Sequence, residues 1–188
     1  MPRPPGGRTF AAMELRTRKT SEPVQLAQDS LGFVRRSCPQ CARFFKVGAH
    51  KSEDLLVQST FVSALQHANA DELPGLPTRF CPYCGHQAQA SAFLTEAQRG
   101  YIVGLAKELA GQVRYEQLRH AERHLDDNPY VTFVAVAPEA GELLAPPEPD
   151  DMAAAPLLCC GEDLKIKANW REPFFCHHCR AQHRAGGR

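Results

Sequence analysis

The chain contains no run of about 18 apolar residues, the length a membrane-spanning helix needs, so no segment reads as a transmembrane span. Nor does it open on the apolar core of a secretion signal, since Pro2, Pro4, Pro5, Gly6 and Gly7 occupy that place. Charge of one sign is missing too: 22 Lys and Arg stand against 21 Asp and Glu, a net of +1. No global field therefore draws the chain to nucleic acid or membrane. Glycine-rich phosphate loops, a recognisable nucleophile and paired catalytic acids are absent, and the expectation is a protein that is not an enzyme. At 188 residues, with short apolar runs between polar, Pro-rich and Gly-rich stretches, small metal-held units are expected rather than one large core.

What is present is cysteine in four close pairs: Cys38-Pro39-Gln40-Cys41, Cys81-Pro82-Tyr83-Cys84-Gly85, Cys159-Cys160-Gly161 and Cys176-His177-His178-Cys179. A two-residue gap lets one tight turn present two thiolates to one ion. Proline stiffens such a turn. Glycine after the second cysteine permits positive φ and lets backbone N–H groups point at sulfur. The second pair has all of these parts, and the first lacks only the glycine. Cys38, Cys41, Cys81 and Cys84 therefore read as one closed tetrahedral site.

Cys159, Cys160, Cys176 and Cys179 read as a second site, with a difficulty. Adjacent cysteines rarely both reach one tetrahedral ion without strain. Three donor sets fit the spacing: both adjacent cysteines, one of them with His183 as fourth ligand, or a set in which His177 or His178 turns inward. Zinc suits all three. Iron in a rubredoxin-like set is the rival at the first site. Four disulfides would be the reading for a secreted chain. Without a secretion signal, metal binding in a reducing cytoplasm is expected instead. A thioredoxin-like use of Cys-X-X-Cys would need a βαβ setting, which these turns do not have.

Around the cysteines, short strands are expected at residues 31–35 and 44–47, and a helix over 53–69 capped by Ser52 with Glu53 and Asp54 in its first turn. Thr95 with Gln98 forms a capping-box signature. It opens a helix to about residue 127, some 45 Å long at ~1.5 Å per residue, with a break at Gly111 as the alternative. Residues 130–137 are β-branched and apolar and read as a strand. The fold class is α+β. The organisation expected is a basic N-terminal arm (1–30, with Met13 as an alternative start), a first ribbon with helical insertion (31–94), the long helix plus strand (95–137), an acidic Pro-rich linker (138–156), and a second ribbon with a basic tail (157–188).

Three further features have two readings each. Trp170, beside Lys165, Lys167 and Arg171, suits base stacking but better suits, with Phe174 and Phe175, the apolar patch a ribbon needs. His120 and His124 at i, i+4 match a metal clip, but Glu116, Arg119, Glu122 and Arg123 make an exposed polar face the simpler reading. The basic residues up to Lys51 suit a binding arm and a solvated tail equally.

At Cys38-Pro39-Gln40-Cys41, at Arg79-Phe80-Cys81-Pro82-Tyr83-Cys84-Gly85-His86, at the helix start Leu94-Thr95-Glu96-Ala97-Gln98 and at Phe174-Phe175-Cys176-His177-His178-Cys179, the chain resembles the zinc-ribbon superfamily, including small bacterial zinc-ribbon proteins. The resemblance implies Zn²⁺ and a ribbon fold but no activity, since ribbons serve transcription factors, polymerase subunits, ribosomal proteins and adapters alike. The functional expectation is a non-enzymatic bacterial cytoplasmic protein presenting Arg35, Arg36, Arg43, Lys46, Lys165, Lys167 and Arg171 to nucleic acid. The alternative is a protein–protein adapter docking through Ile102, Leu105, Leu109 and Val113. The oligomeric state is not legible.

Overall fold

The structure is a computed structural model and describes residues 24–66, 77–125, 130–138 and 143–184. Most of the expected basic arm, the end of the first helix, the return at 73–76, residues 139–142 and the last four residues lie outside the described residues. Within them the fold is α+β, with two α-helices and small antiparallel hairpins.

Each cysteine pair occupies the tip of one hairpin. Strands β1 (Phe33–Ser37) and β2 (Phe44–Gly48) close at Ser37 opposite Phe44 around the first pair. Strands β3 (Thr78–Phe80) and β4 (Gln87–Gln89) close at Phe80 opposite Gln87 around the second. Strands β5 (Ala153–Leu157) and β6 (Glu162–Ile166) close at Leu157 opposite Glu162 around the third, and β7 (Phe174–Phe175) and β8 (Gln182–His183) around the fourth.

The two units are not separate beads. β2 pairs antiparallel with β6, so β1, β2, β6 and β5 form one four-stranded sheet in that order. The contacts between the units are reciprocal. Phe80 N–H donates to the His177 carbonyl at 3.0 Å, and Phe175 N–H donates to the Pro82 carbonyl at 2.8 Å. Phe80 and Phe175 each precede the first cysteine of a pair, and Pro82 and His177 each follow it. Lys46 and Lys165, each five residues beyond a cysteine of the main-sheet tips (Cys41, Cys160), face each other in the β2–β6 pairing. Contacts that repeat when the partners are exchanged are the signature of an approximate two-fold relation. One hydrophobic core serves both units, with Phe45, Phe93, Leu164 and Phe174 packed around Cys38, Cys81 and Cys176. Each such apolar side chain contributes about 1.5–3 kcal/mol.

Helix α1 (Lys51–Gln66) starts two residues before the expected boundary, so Ser52 lies inside it and is not its cap; the His50 carbonyl takes the Glu53 N–H at 2.8 Å. Helix α2 (Glu96–Leu125) opens on the expected capping box: Gln98 N–H donates to Thr95 Oγ1 at 3.2 Å, and Thr95 N–H to Gln98 Oε1 at 3.1 Å. Gln98 Nε2 also donates to the Arg35 carbonyl at 2.9 Å, tying α2 to β1. The helix runs unbroken through Gly111. Its glycines admit the returning chain instead: Leu143 lies so close to Gly104 that a Cβ there would meet it at 2.9 Å. A second cluster of Leu26, Val34, Val57, Leu94 and Ile102 seats both helices on β1.

Residues 130–137 form no strand. β-propensity measures fit to a partner strand, and none of the described residues offers a ladder there. Phe133 and Ala135 are half-buried, while Val134 and Val136 face solvent. The acidic stretch read as a linker (138–156) contains most of strand β5 and, at residues 148–151, carboxylates that reach into the sheet.

Candidate metal centres

The four hairpin tips meet in two pairs. Cys38, Cys41, Cys81 and Cys84 bring their sulfurs within 4.8 Å of one another, and so do Cys159, Cys160, Cys176 and Cys179. All eight are free thiols. In the first group the Cys38–Cys84 and Cys41–Cys81 sulfur separations are both 3.7 Å. In the second, Cys159–Cys160 is 3.7 Å, Cys160–Cys176 3.5 Å, Cys160–Cys179 3.9 Å and Cys159–Cys179 3.5 Å. A tetrahedron of thiolates at metal–sulfur bonds of ~2.3 Å has edges of about 3.8 Å. Each group therefore has the size and the donor chemistry to hold one metal ion.

Three of the four tips share one backbone design. The Cys38, Cys81 and Cys176 carbonyls accept from the N–H four residues on, at 2.9, 2.9 and 3.1 Å. Their sulfurs accept backbone N–H groups: Gln40 and Cys41 at 3.4 Å onto Cys38, Tyr83 at 3.4 Å onto Cys81, and His178 at 3.3 Å onto Cys176. Such donors stabilise thiolate and orient it. The turn needs positive φ after the second cysteine. Gly85 supplies it at 67°, but Ala42 and Arg180 adopt it as well, at 55° and 65°. Glycine there is a preference that the rest of the knuckle can override.

Without a cation a second thiolate in either group is opposed by the first, because like charges cannot share so small a volume. Burial pushes Cys81 far up and Cys38 up as well. Burial also opposes ionisation of Cys41, but the Arg43 N–H and the neighbouring thiols outweigh it and hold Cys41 below the ordinary thiol value. In the second group the Ala181 N–H and then the Cys159 thiol bring Cys179 down to about 7. Burial and the neighbouring Cys176 and Cys179 push Cys159 up to about 11, and Cys176 foremost drives Cys160 up. One sulfur per group is ready to ionise first. A bound dication would draw all four to thiolate and release protons.

The histidines sort clearly. His177 is buried against Phe45 and Phe93, its Nδ1 2.7 Å from the Phe80 carbonyl, and burial pushes it down to about 3. His178 Nε2 lies 2.7 Å from a Glu162 carboxylate oxygen. Neither joins the sulfur group. His183 does approach it, with Nε2 3.2 Å from Cys159 Sγ and its ring stacked on Phe174. His120 and His124 place their Nε2 atoms 3.4 Å apart on exposed α2, and no third ligand joins them among the described residues.

The seven basic residues nominated from sequence fall into two sets. Arg36, Lys46 and Lys165 are buried, at 1, 0 and 1% exposure. Arg36 pairs with Glu53. Lys46 and Lys165 converge on one Asp29 oxygen at 3.0 and 2.7 Å, with Glu148 2.8 Å from Lys46 and Asp150 2.7 Å from Lys165. Arg35 is held by Glu148 and Asp151 at 3.0 and 2.6 Å. These four are structural and unavailable for phosphate contact. The signal that could have revealed this was the acidic run at 148–151, which matches the basic strands in charge. Arg43, Lys167 and Arg171 stay exposed. They surround Trp170: the Arg43 guanidinium lies 5.0 Å from its ring, and Lys167 and Arg171 flank it in sequence. Trp170 packs edge-on against Tyr83 at 4.8 Å, as the apolar-patch reading expected, and also borders the surface. Tyr83, which sequence reasoning passed over, donates its hydroxyl to the Phe44 carbonyl at 2.8 Å and accepts the Lys167 N–H at 3.0 Å, joining the units.

Comparison with protein-family models, with curated proteins and with solved structures gives no match to this chain. Among the described residues no helix is long and apolar enough to cross a membrane.

Proposed function

We propose that the chain is a non-enzymatic zinc protein of the reducing cytoplasm, in which two structural zinc ribbons form one scaffold that presents a basic, aromatic face to nucleic acid. Closed four-sulfur sets suit zinc as a structural ion, with no open position for substrate. The observation that carries the nucleic-acid reading is the sorting of cations. Four are consumed by carboxylates, and the three that remain, Arg43, Lys167 and Arg171, gather at Trp170. A groove of about 510 Å³ is lined by Lys167, Trp170 and Arg171 together with Ala155, Ile166, Phe174 and Arg184, and its described lining contains no Asp or Glu. Exposed cations beside aromatic and apolar side chains suit a phosphate backbone with splayed bases.

The test is binding of fluorescent single-stranded and duplex oligonucleotides over a salt series. Affinity should fall steeply with salt. The triple variant Arg43→Ala, Lys167→Ala, Arg171→Ala should flatten the slope by roughly one per lost phosphate contact. Weak binding at every salt concentration sinks the reading. Elemental analysis of native protein tests zinc against iron.

The adapter reading rests on α2, whose buried residues Gln98, Ile102 and Ala106 all lie in its first half. Ile102 is in the core, Leu105, Leu109 and Val113 are half-buried and Leu118 is exposed, so docking would use the second half of the helix around Leu118. A partner retained through nuclease and high salt selects this reading.

A further inference from the structure

The third hairpin tip breaks the design of the other three. Gly161 N–H donates to the Leu157 carbonyl at 2.9 Å, just as Ala42 N–H donates to the Cys38 carbonyl at 2.9 Å. Gly161 takes positive φ as Ala42 does, and Cys160 immediately precedes it as Cys41 precedes Ala42. Leu157 thus stands where Cys38 stands, with its side chain buried in the shared core. The second unit has no thiol at that place. Its fourth sulfur comes from Cys159, at the position equivalent to Gln40.

Three consequences follow for Cys159. It is exposed, whereas its counterparts Cys38, Cys81 and Cys176 are buried. Among the described residues no backbone N–H reaches its sulfur, although each of those three sulfurs accepts at least one. The nitrogen that does reach it belongs to a side chain, His183 Nε2 at 3.2 Å, with the ring braced on Phe174 at 5.4 Å between centroids. A fifth donor atom therefore stands beside the four-sulfur group, against Cys159. Imidazole is as good a zinc ligand as thiolate.

We infer that Cys159 is an exchangeable ligand and a thiol-modification site, open to soft carbon electrophiles, and that His183 takes its place so that the ion stays with Cys160, Cys176 and Cys179. This rests on the zinc reading above. In the step, the Cys159 sulfur pair forms the new S–C bond, the carbon–leaving-group bond breaks, and the leaving group departs with its electrons. The His183 Nε2 lone pair replaces the lost sulfur. The first centre has no such spare donor among the described residues.

The test treats the full-length zinc-loaded protein with iodoacetamide, which releases iodide, and follows label position by peptide mass spectrometry and bound zinc by native mass spectrometry. With His183 at hand to take its place, Cys159 is the sulfur set free to react, and it should be labelled roughly tenfold faster than Cys160 or Cys179, with both ions retained. In His183→Ala the same label should release one ion. As a second route, Cys159→Ser should keep both ions, and Cys159→Ser with His183→Ala should keep one. Label spread evenly over the three exposed cysteines, or zinc lost in step with Cys159 label in the unsubstituted chain, overturns the inference and leaves the zinc reading intact. A native chain with no ion at the second centre overturns both.

Discussion

At the first centre two of the four sulfurs, Cys38 and Cys81, are buried, and each is wrapped by backbone N–H groups. At the second only Cys176 is buried, and three sulfurs face solvent. The first joins hairpins about forty residues apart in sequence, across a helical insertion, and the second joins neighbours. The same donor chemistry thus does two jobs. The first ion would close a long loop and hold the core around Cys38, Cys81 and Phe45, whereas the second would staple a compact hairpin pair at the rim.

This contrast is easiest to break by removing one ligand from each centre. A structural zinc contributes about 10–16 kcal/mol of apparent binding energy, comparable with a domain's whole stability of about 5–15 kcal/mol. Cys81→Ser should therefore unfold the first unit and expose the shared core, read as loss of hydrogen-exchange protection across β1 to β4. Cys179→Ser should leave that protection largely in place. Equal losses would mean that the two centres are equivalent.

A smaller effect sharpens what joins the units. Asp29 serves Lys46 and Lys165, which the sheet places opposite each other and which would otherwise repel. Asp29→Ala leaves two buried ammonium groups short of a partner and should cost about 3–5 kcal/mol in urea unfolding. Burial works to raise the Asp29 pKa, but hydrogen bonds from Lys165, the Phe33 N–H, Lys46 and the Leu31 N–H outweigh it and hold the carboxyl far below its ordinary value. A depressed folded value means this stabilisation is complete above the ordinary carboxylate range and is lost as pH falls through and below it. In Asp29→Asn, the acid-dependent loss of stability below about pH 4 should be shallower than in the parent.

The smallest effect concerns the knuckle backbones. Ala42 holds φ at 55°, so Ala42→Gly should raise stability by up to about 1 kcal/mol. Gly161→Ala should cost a similar amount through φ alone, because nothing lies within 4 Å of a Cβ there. Calorimetry on the two variants compares the first tip with the third.

The sequence made the sulfur groups legible because a Cys-Pro-X-Cys turn is a local device, complete within five residues. The capping box at Thr95 and Gln98 was readable for the same reason. Long-range features were not. Nothing local marks β2 as the partner of β6, so the shared sheet was invisible and the stretch containing β5 looked like a connector. Lysine is usually at the surface, so Lys46 and Lys165 looked like phosphate ligands until Asp29, Glu148 and Asp150 were found around them. Residues 130–137 failed in the opposite direction, since strand-forming side chains need a neighbouring strand as well as propensity. At the second centre the odd spacing of Cys159 and Cys160 was visible, but the reason for it, Leu157 in the knuckle position, required the hydrogen-bond pattern.

The antiparallel seam between β2 and β6 sets an order of events during synthesis. β2 leaves the ribosome more than a hundred residues ahead of β6, so its outer edge and Lys46 wait there while most of the chain is still being made. Such distant pairing is slow, and an open strand edge invites the wrong neighbour in the interval. The nascent first half is thus the stage at which a holdase or an early-bound metal ion would protect the chain most, and a translation product stopped before residue 150 should be recovered as aggregate.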